Sequence, residues 1–146
     1  MKAGASVHST DKNNYTALNW CARKNQNGFA KELIAAGADI NHQDGNTQYS
    51  PLMWGAIKGH LGIVVTFIKA GADLNLQDRV SLLYYLNQDQ YKVSFFPPLK
   101  YYNSVIQTGT TAIMHAASEG HFDIVKALRN SGAELYTKNK VSLVVL

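Results

Sequence analysis

The stretch SPLMWGAIKGHLGIVVTFIKAGADLNLQD, residues 50–78, decides the fold of this chain. Ser50 can accept a backbone N–H at a helix start, and Pro51 directly after it suits the first helical turn. Apolar residues then recur at three- and four-residue spacing, interrupted at Gly59, and a second apolar-periodic run ends at Gly71. This pattern predicts two short helices joined by a tight turn.

The end of that stretch recurs elsewhere in the chain. One phrase occurs four times: GASVHSTD at Gly4, GADINHQD at Gly37, GADLNLQD at Gly71 and GAELYTKN at Gly132. The spacings are 33, 34 and 61 residues. A fixed period of roughly 20–50 residues indicates a repeat architecture, in which each unit buries its apolar face against a neighbour.

A helix-pair pattern precedes three of the four phrases. Thr16, Ser50 and Thr111 stand where a hydroxyl can cap the first helix of a pair. Glycine followed by histidine separates the two helices at Gly59 and Gly120. The apolar stripe of one pair is too small to close a core alone, so we expect the pairs to stack.

With these motifs in view, the chain resembles an ankyrin repeat protein. Residues 50–78 are close to the family pattern of Thr-Pro-Leu-His, Ala, Gly-His, Ile-Val, Leu-Leu and Gly-Ala-Asp-Asn-Asp. The match covers residues 4–78 and 108–139. The resemblance implies an all-α solenoid of helix-turn-helix units with projecting hairpin turns, a concave face that holds partner proteins, and no catalysis.

The resemblance also divides the chain into segments and shows where it departs from the family. The segments are the tail of a preceding repeat with its turn (1–14), repeat 1 (15–44), repeat 2 (45–79), an insertion (80–107), repeat 3 (108–140) and a C-terminal tail (141–146). The histidine that normally follows Thr-Pro-Leu is replaced by Asn19, Met53 and Met114. The resemblance therefore does not predict the hydrogen bond that this histidine normally makes between repeats. Asn25-Gln26 replaces Gly-His in repeat 1.

Residues 80–107 interrupt the array between repeats 2 and 3. Removing these 28 residues restores the Asp-x-x-Gly-x-Thr turn from Asp78 to Thr111. The block has no glycine or alanine but five of the eight tyrosines. Val-Ser follows a basic residue at the start of the block, after Arg79, and again after Lys140, and a splice donor translated in frame encodes this sequence. The block ends in Gln107, and a splice acceptor that ends in CAG encodes glutamine. We favour a translated, poorly ordered intron; the alternative is a genuine aromatic contact loop at a hairpin tip.

Composition and charge argue against several function classes. The net charge is +4, but the basic residues are scattered, with no run longer than Arg23-Lys24, which does not indicate a phosphate-binding stripe. Cys21 is the only cysteine, so no internal disulfide or cysteine-based zinc site can form. No phosphate-cradling loop, Gly-x-Ser-x-Gly elbow or paired-carboxylate site is present, and the recurring aspartates belong to turns. His115, Glu119 and His121 lie close in sequence but occupy ordinary repeat positions.

We therefore expect a protein that is not an enzyme and has no cofactor and no metal. Its partner is expected to be another protein, not a nucleic acid or a membrane, and the chain is expected to be monomeric. The first residues carry no hydrophobic signal segment, so we expect a cytoplasmic or nuclear location. The alternative function is a regulatory or targeting part of a larger enzyme or channel.

The resemblance also implies a binding face made of turn residues and the exposed end of each first helix. Carried over position by position, these residues are Lys12, Asn13, Tyr15, Arg23 and Lys24; Asn46, Gln48, Tyr49, Ile57 and Lys58; and Thr110, Ser118 and Glu119. Trp20 and Trp54 occupy matching places one turn earlier. They could anchor a partner, as tryptophans do at interfaces, or fill space between stacked helices.

Overall fold

The computed structural model describes residues 6–79 and 109–135. These ranges contain the helices α1 (Ala17–Arg23), α2 (Asn27–Ala35), α3 (Pro51–Ile57), α4 (Leu61–Lys69), α5 (Ala112–Ser118) and α6 (Phe122–Asn130). The described residues form no extended strand, and a single bridge pairs Thr10 with Thr16. The predicted all-α, helix-turn-helix fold is confirmed. The predicted insertion (80–107) and tail (141–146) lie outside the described residues, so both stay predictions.

The six helices form two rows. The first helices of the repeats pack side by side, α1 on α3 and α3 on α5, and the second helices pack in the same order, α2 on α4 and α4 on α6. The core lies between the rows, where Leu18, Leu52 and Phe67 are among the largest fully buried side chains. Each repeat therefore contributes a thin apolar slice that the next repeat covers, as repeat architectures require.

Phe29 shows what stacking contributes to burial. It occupies the third position of α2 and is 62% exposed. Ile63 and Ile124 hold the same position in α4 and α6 and are buried. The difference arises because α2 has no second helix before it among the described residues, whereas α4 packs on α2 and α6 packs on α4.

Two of the three predicted hydroxyl caps form. Thr16 accepts the backbone N–H of Asn19, and the Asn19 side chain accepts the N–H of Thr16 in return, which completes a capping box. Ser50 accepts the N–H of Met53 at 3.3 Å. The prediction is wrong for Thr111, which makes no cap and whose buried hydroxyl has no partner among the described residues. Its φ of −97° is more extended than the −80° of Thr16.

Side chains join each repeat to the next. The Nδ2 group of Asn19 donates to the carbonyl of His42 at 3.4 Å, so it provides a link of its own where the family histidine is missing. The ring nitrogen Nδ1 of His60 lies 2.9 Å from the carbonyl oxygen of Ala22, and the ring nitrogen Nε2 of His121 lies 3.3 Å from the carbonyl oxygen of Ile57, the last residue of α3. The histidine of Gly-His therefore connects successive repeats.

The turn after repeat 2 closes across the 28-residue block. Asp78 donates its N–H to the carbonyl of Thr110 at 3.1 Å, and Thr110 donates its N–H to the Asp78 carboxylate at 2.9 Å. The first of these bonds has counterparts at Asp11 (3.0 Å) and Asp44 (3.1 Å), in each case to the residue before a helix N-cap. The two sides of the block thus meet in the same turn that the uninterrupted repeats use.

The turn inside each repeat needs a residue with positive φ. Gly59 (φ 73°) and Gly120 (φ 76°) supply it in repeats 2 and 3, and Asn25 (φ 56°) supplies it in repeat 1. Residues other than glycine adopt this region at a cost, and asparagine is among the least disfavoured. The departure at Asn25-Gln26 therefore keeps the geometry of the turn.

Asn25→Gly is expected to raise the free energy of unfolding by about 0.5–1 kcal/mol, because glycine has no Cβ to strain the left-handed backbone. The matched control is Asn25→Ala, which keeps the Cβ and loses the polar side chain, and should lower the free energy of unfolding by about 1 kcal/mol. Urea unfolding followed by circular dichroism measures both. Equal stability of the two variants would contradict a positive φ at this residue.

Candidate functional site

The fourth residue of each first helix carries a ring N–H that meets the aspartate of the preceding turn. The three pairs are Trp20 with Asp11 (3.0 Å), Trp54 with Asp44 (3.0 Å) and His115 with Asp78 (2.9 Å). The turn aspartates therefore do more than shape the turns. Each of them fixes the orientation of one ring on the side of the stack where the turns lie.

Asp44 has no exposed surface, and both oxygens of its carboxylate accept hydrogen bonds. Its carboxylate accepts the hydroxyl of Thr47 and the backbone N–H groups of Asn46, Thr47 and Gln48. The indole of Trp54 donates to the other oxygen. A buried carboxylate is tolerable only when hydrogen bonds replace its lost hydration, and here five donors do so.

Asp11 makes a smaller set of the same bonds at the surface. It accepts the backbone N–H groups of Asn13 (2.8 Å) and Tyr15 (3.0 Å) in addition to the indole of Trp20. The N–H of Tyr15 stabilises the charged carboxylate and lowers the pKa of Asp11 below its ordinary value. Stability from this carboxylate is present above the ordinary pKa of an aspartate and is lost as the pH falls through the lowered value.

The rings fixed by the aspartates belong to one aromatic row that crosses the repeats. From repeat 1 to repeat 3, neighbouring ring centroids are 5.5 Å apart (Trp20 and Tyr15), 5.9 Å (Tyr15 and Trp54), 5.1 Å (Trp54 and Tyr49) and 5.0 Å (Tyr49 and His115). These separations and the tilted or edge-on angles suit favourable aromatic pairs. We call these five residues the aromatic row.

Arg23, the last residue of α1, lies against the row. Its Cζ atom is 4.5 Å from the ring centroid of Trp54, 4.8 Å from that of Trp20 and 5.2 Å from that of Tyr15. A guanidinium at such distances is attracted by the ring electrons. Within residues 6–79 and 109–135, no hydrogen-bond acceptor or carboxylate pairs with this guanidinium.

The structure spreads the predicted binding residues over three degrees of exposure. Lys12, Trp20, Lys24, Asn46, Lys58, Ser118 and Glu119 are exposed; Asn13, Arg23, Gln48, Ile57 and Thr110 are half-buried; Tyr15, Tyr49 and Trp54 are buried. Trp20 is the middle residue of α1, and the other exposed residues lie on the turns or at the ends of the first helices. The half-buried set borders the exposed set.

Tyr15 and Tyr49, which the resemblance assigns to the binding face, are buried, and so is Trp54, for which partner anchoring and space filling were both open. Their exposed fractions are 8%, 7% and 6%, because each ring is held between two other rings of the aromatic row. Trp54 therefore fills space between stacked repeats. Trp20, at the matching place in repeat 1, is 39% exposed and remains accessible to a partner.

His115 and the turn aspartates were missed as parts of this site. The signal that could have found them is positional: Trp20, Trp54 and His115 all stand four residues after a helix N-cap, and all carry a ring N–H. A hydrogen-bond donor that recurs at the same position of each repeat predicts an acceptor that also recurs once in each repeat. The aspartates of the preceding turns are the acceptors that recur with them.

The described part of the chain contains no cluster of three or more His, Cys, Asp or Glu side chains that could hold a metal ion. His115 is engaged with Asp78 there. None of the helices formed by residues 6–79 and 109–135 has the length and apolar character needed to span a bilayer. Cys21 is buried, and burial raises the pKa of its thiol.

Comparison with known families identifies the fold. A family model described as ankyrin repeats (3 copies) matches residues 1–78, and one described as ankyrin repeat matches residues 108–140. The search of curated proteins finds no match to the chain. Ankyrin repeats are general protein–protein interaction modules and are typically not catalytic. The chain belongs to the ankyrin repeat family.

Proposed function

We propose that this chain binds another protein through the side of the stack that carries the turns and the ends of α1, α3 and α5. The exposed residues of this binding face are Lys12, Trp20, Lys24, Asn46, Lys58, Ser118 and Glu119, with Arg23 half-buried among them. The observation that carries the proposal is Trp20, a large aromatic side chain that remains 39% exposed at one end of the row. Tryptophan and arginine are over-represented among residues that dominate binding energy.

The aromatic row makes this face rigid. Trp20 and Trp54 are each held by a carboxylate at 3.0 Å, and Tyr15 lies between their rings. Side chains that are already fixed lose little conformational entropy when a partner binds, so more of the contact energy is retained as affinity. The cytoplasmic or nuclear location, the monomeric state and a role within a larger enzyme or channel stay predictions.

A pair of matched charge reversals tests where binding occurs. Lys24→Glu with Lys58→Glu changes the binding face, whereas Lys31→Glu with Lys69→Glu changes two exposed lysines on the second-helix row. Peptides selected from a random display library on the unmodified chain serve as ligands. We expect the first pair to weaken their binding about tenfold or more and the second to change it about twofold or less.

Fluorescence anisotropy with labelled peptides measures both affinities, and the two pairs carry the same change in net charge. Ligands that lose affinity with the Lys31 and Lys69 reversals but not with those of Lys24 and Lys58 would contradict the proposed function. Circular dichroism of each variant verifies that the helices are retained.

A further inference from the structure

We propose that Arg23 binds a carboxylate of the partner, supplied by an aspartate or glutamate in an acidic peptide segment. This inference rests on the proposed function and names the chemistry of the partner at that face. The fold holds the cationic side chain of Arg23 in place, but no carboxylate among the described residues neutralises its charge. The guanidinium of Arg23 lies over rings of the aromatic row and has no acceptor among the described residues.

The rings hold the guanidinium in place. Trp54 and Trp20 are themselves fixed by Asp44 and Asp11, each at 3.0 Å from an indole nitrogen. Contact with ring electrons leaves the N–H groups of Arg23 available to an acceptor. A guanidinium oriented before binding loses little freedom when it forms the paired N–H···O bonds that carboxylates favour.

The surrounding charges favour an acidic segment at this end of the face. Lys24, the next residue along the chain, and Lys58, which takes the place of Lys24 in repeat 2, are both exposed. In repeat 3 the places of Arg23 and Lys24 are taken by Ser118 and Glu119. The ends of the first helices are therefore basic in repeats 1 and 2 and acidic in repeat 3, so a partner would place its acidic residue over Arg23 in a defined direction.

The same charges disfavour a nucleic acid. A phosphate backbone carries negative charge at every step, so a strand that follows the first-helix ends from Arg23 would meet the exposed carboxylate of Glu119 in repeat 3. A single fixed guanidinium suits one carboxylate better than a run of phosphates. The geometry therefore points to an acidic peptide.

The test uses peptides selected from a random display library on the full chain. We expect aspartate or glutamate to be enriched over asparagine or glutamine at one position of the selected peptides. A synthetic copy with that residue changed to its amide should bind about tenfold or more weakly. Arg23→Gln should weaken binding of the acidic peptide by the same factor and change binding of the amide peptide little. The reason is that the change in the protein and the change in the peptide remove the same interaction.

Two further variants separate recognition from packing. Arg23→Lys keeps the charge but not the paired donors, so it should recover only part of the affinity for the acidic peptide. Lys24→Gln changes the neighbouring exposed lysine and should weaken binding of that peptide only about twofold. Equal binding of the acidic and amide peptides to the unmodified chain would overturn the inference, while the Lys24 and Lys58 reversals would still decide the proposed function. A short oligothymidine that displaces the acidic peptide with steep salt dependence would also overturn it.

Discussion

Asp44→Ala is expected to lower the free energy of unfolding by about 3–5 kcal/mol, a large part of the stability of a chain of this size. The carboxylate has no exposed surface and is the common acceptor for the turn before α3 and for the indole of Trp54. Alanine leaves these buried donors without an acceptor, and each such donor costs about 1–3 kcal/mol. Asp44 belongs to repeat 1 and Trp54 to repeat 2, so the substitution weakens the contact between these two repeats.

Asp11→Ala is the matched control, because Asp11 makes the corresponding bonds to backbone N–H groups and to Trp20. Asp11 is exposed, so water can replace the lost bonds, and its removal should lower the free energy of unfolding much less than the removal of Asp44. Urea unfolding followed by tryptophan fluorescence measures both variants. Equal losses at Asp44 and Asp11 would show that burial of the Asp44 carboxylate does not hold the stack.

Deleting residues 80–107 is expected to raise the free energy of unfolding by about 2 kcal/mol, because a much shorter loop then joins repeats 2 and 3. The deletion connects Arg79 directly to Thr108. The described residues on either side already form the turn of an uninterrupted repeat, through the bonds between Asp78 and Thr110 at 3.1 and 2.9 Å. The prediction takes the block as chain that closes a loop and adds no contact to the stack.

The control for loop length is a variant in which a glycine-serine linker of equal length, 28 residues, replaces residues 80–107. The linker variant should unfold at the same denaturant concentration as the unmodified chain, and the deletion at a higher one. If both the deletion and the linker variant are less stable than the unmodified chain, the block contributes packing, and the interpretation as a translated, poorly ordered intron is contradicted. Far-UV circular dichroism reports on all three repeats.

Sequence periodicity predicts the helix pairs because their determinants are local. Ser50 and Pro51 start α3, and the residues of positive φ at Gly59 and Gly71 end α3 and α4. These residues act on their own turn of chain, so the sequence alone suffices to place the helices. Thr111 shows the limit, since its hydroxyl occupies the predicted capping position and makes no cap.

The binding face was harder to predict because exposure depends on neighbours. Trp20 and Trp54 are equivalent in sequence, yet only Trp54 has rings of two repeats against it together with the guanidinium of Arg23 and a fully buried acceptor. Position within a repeat identifies which residues share a face. It does not tell which of them the next repeat covers, and so it places Tyr15 and Tyr49 on the binding face although both are buried.

The central claim is that the described repeats form one continuous stack in which a single aromatic row runs from Trp20 to His115. The most direct measurement is the nuclear Overhauser effect between the ring protons of Tyr49 and His115, whose centroids are 5.0 Å apart across repeats 2 and 3. We predict cross-peaks between these rings in the full chain and in the chain lacking residues 80–107. Cross-peaks between Tyr49 and Trp54 without any between Tyr49 and His115 would contradict the account, because repeat 3 would then not continue the stack.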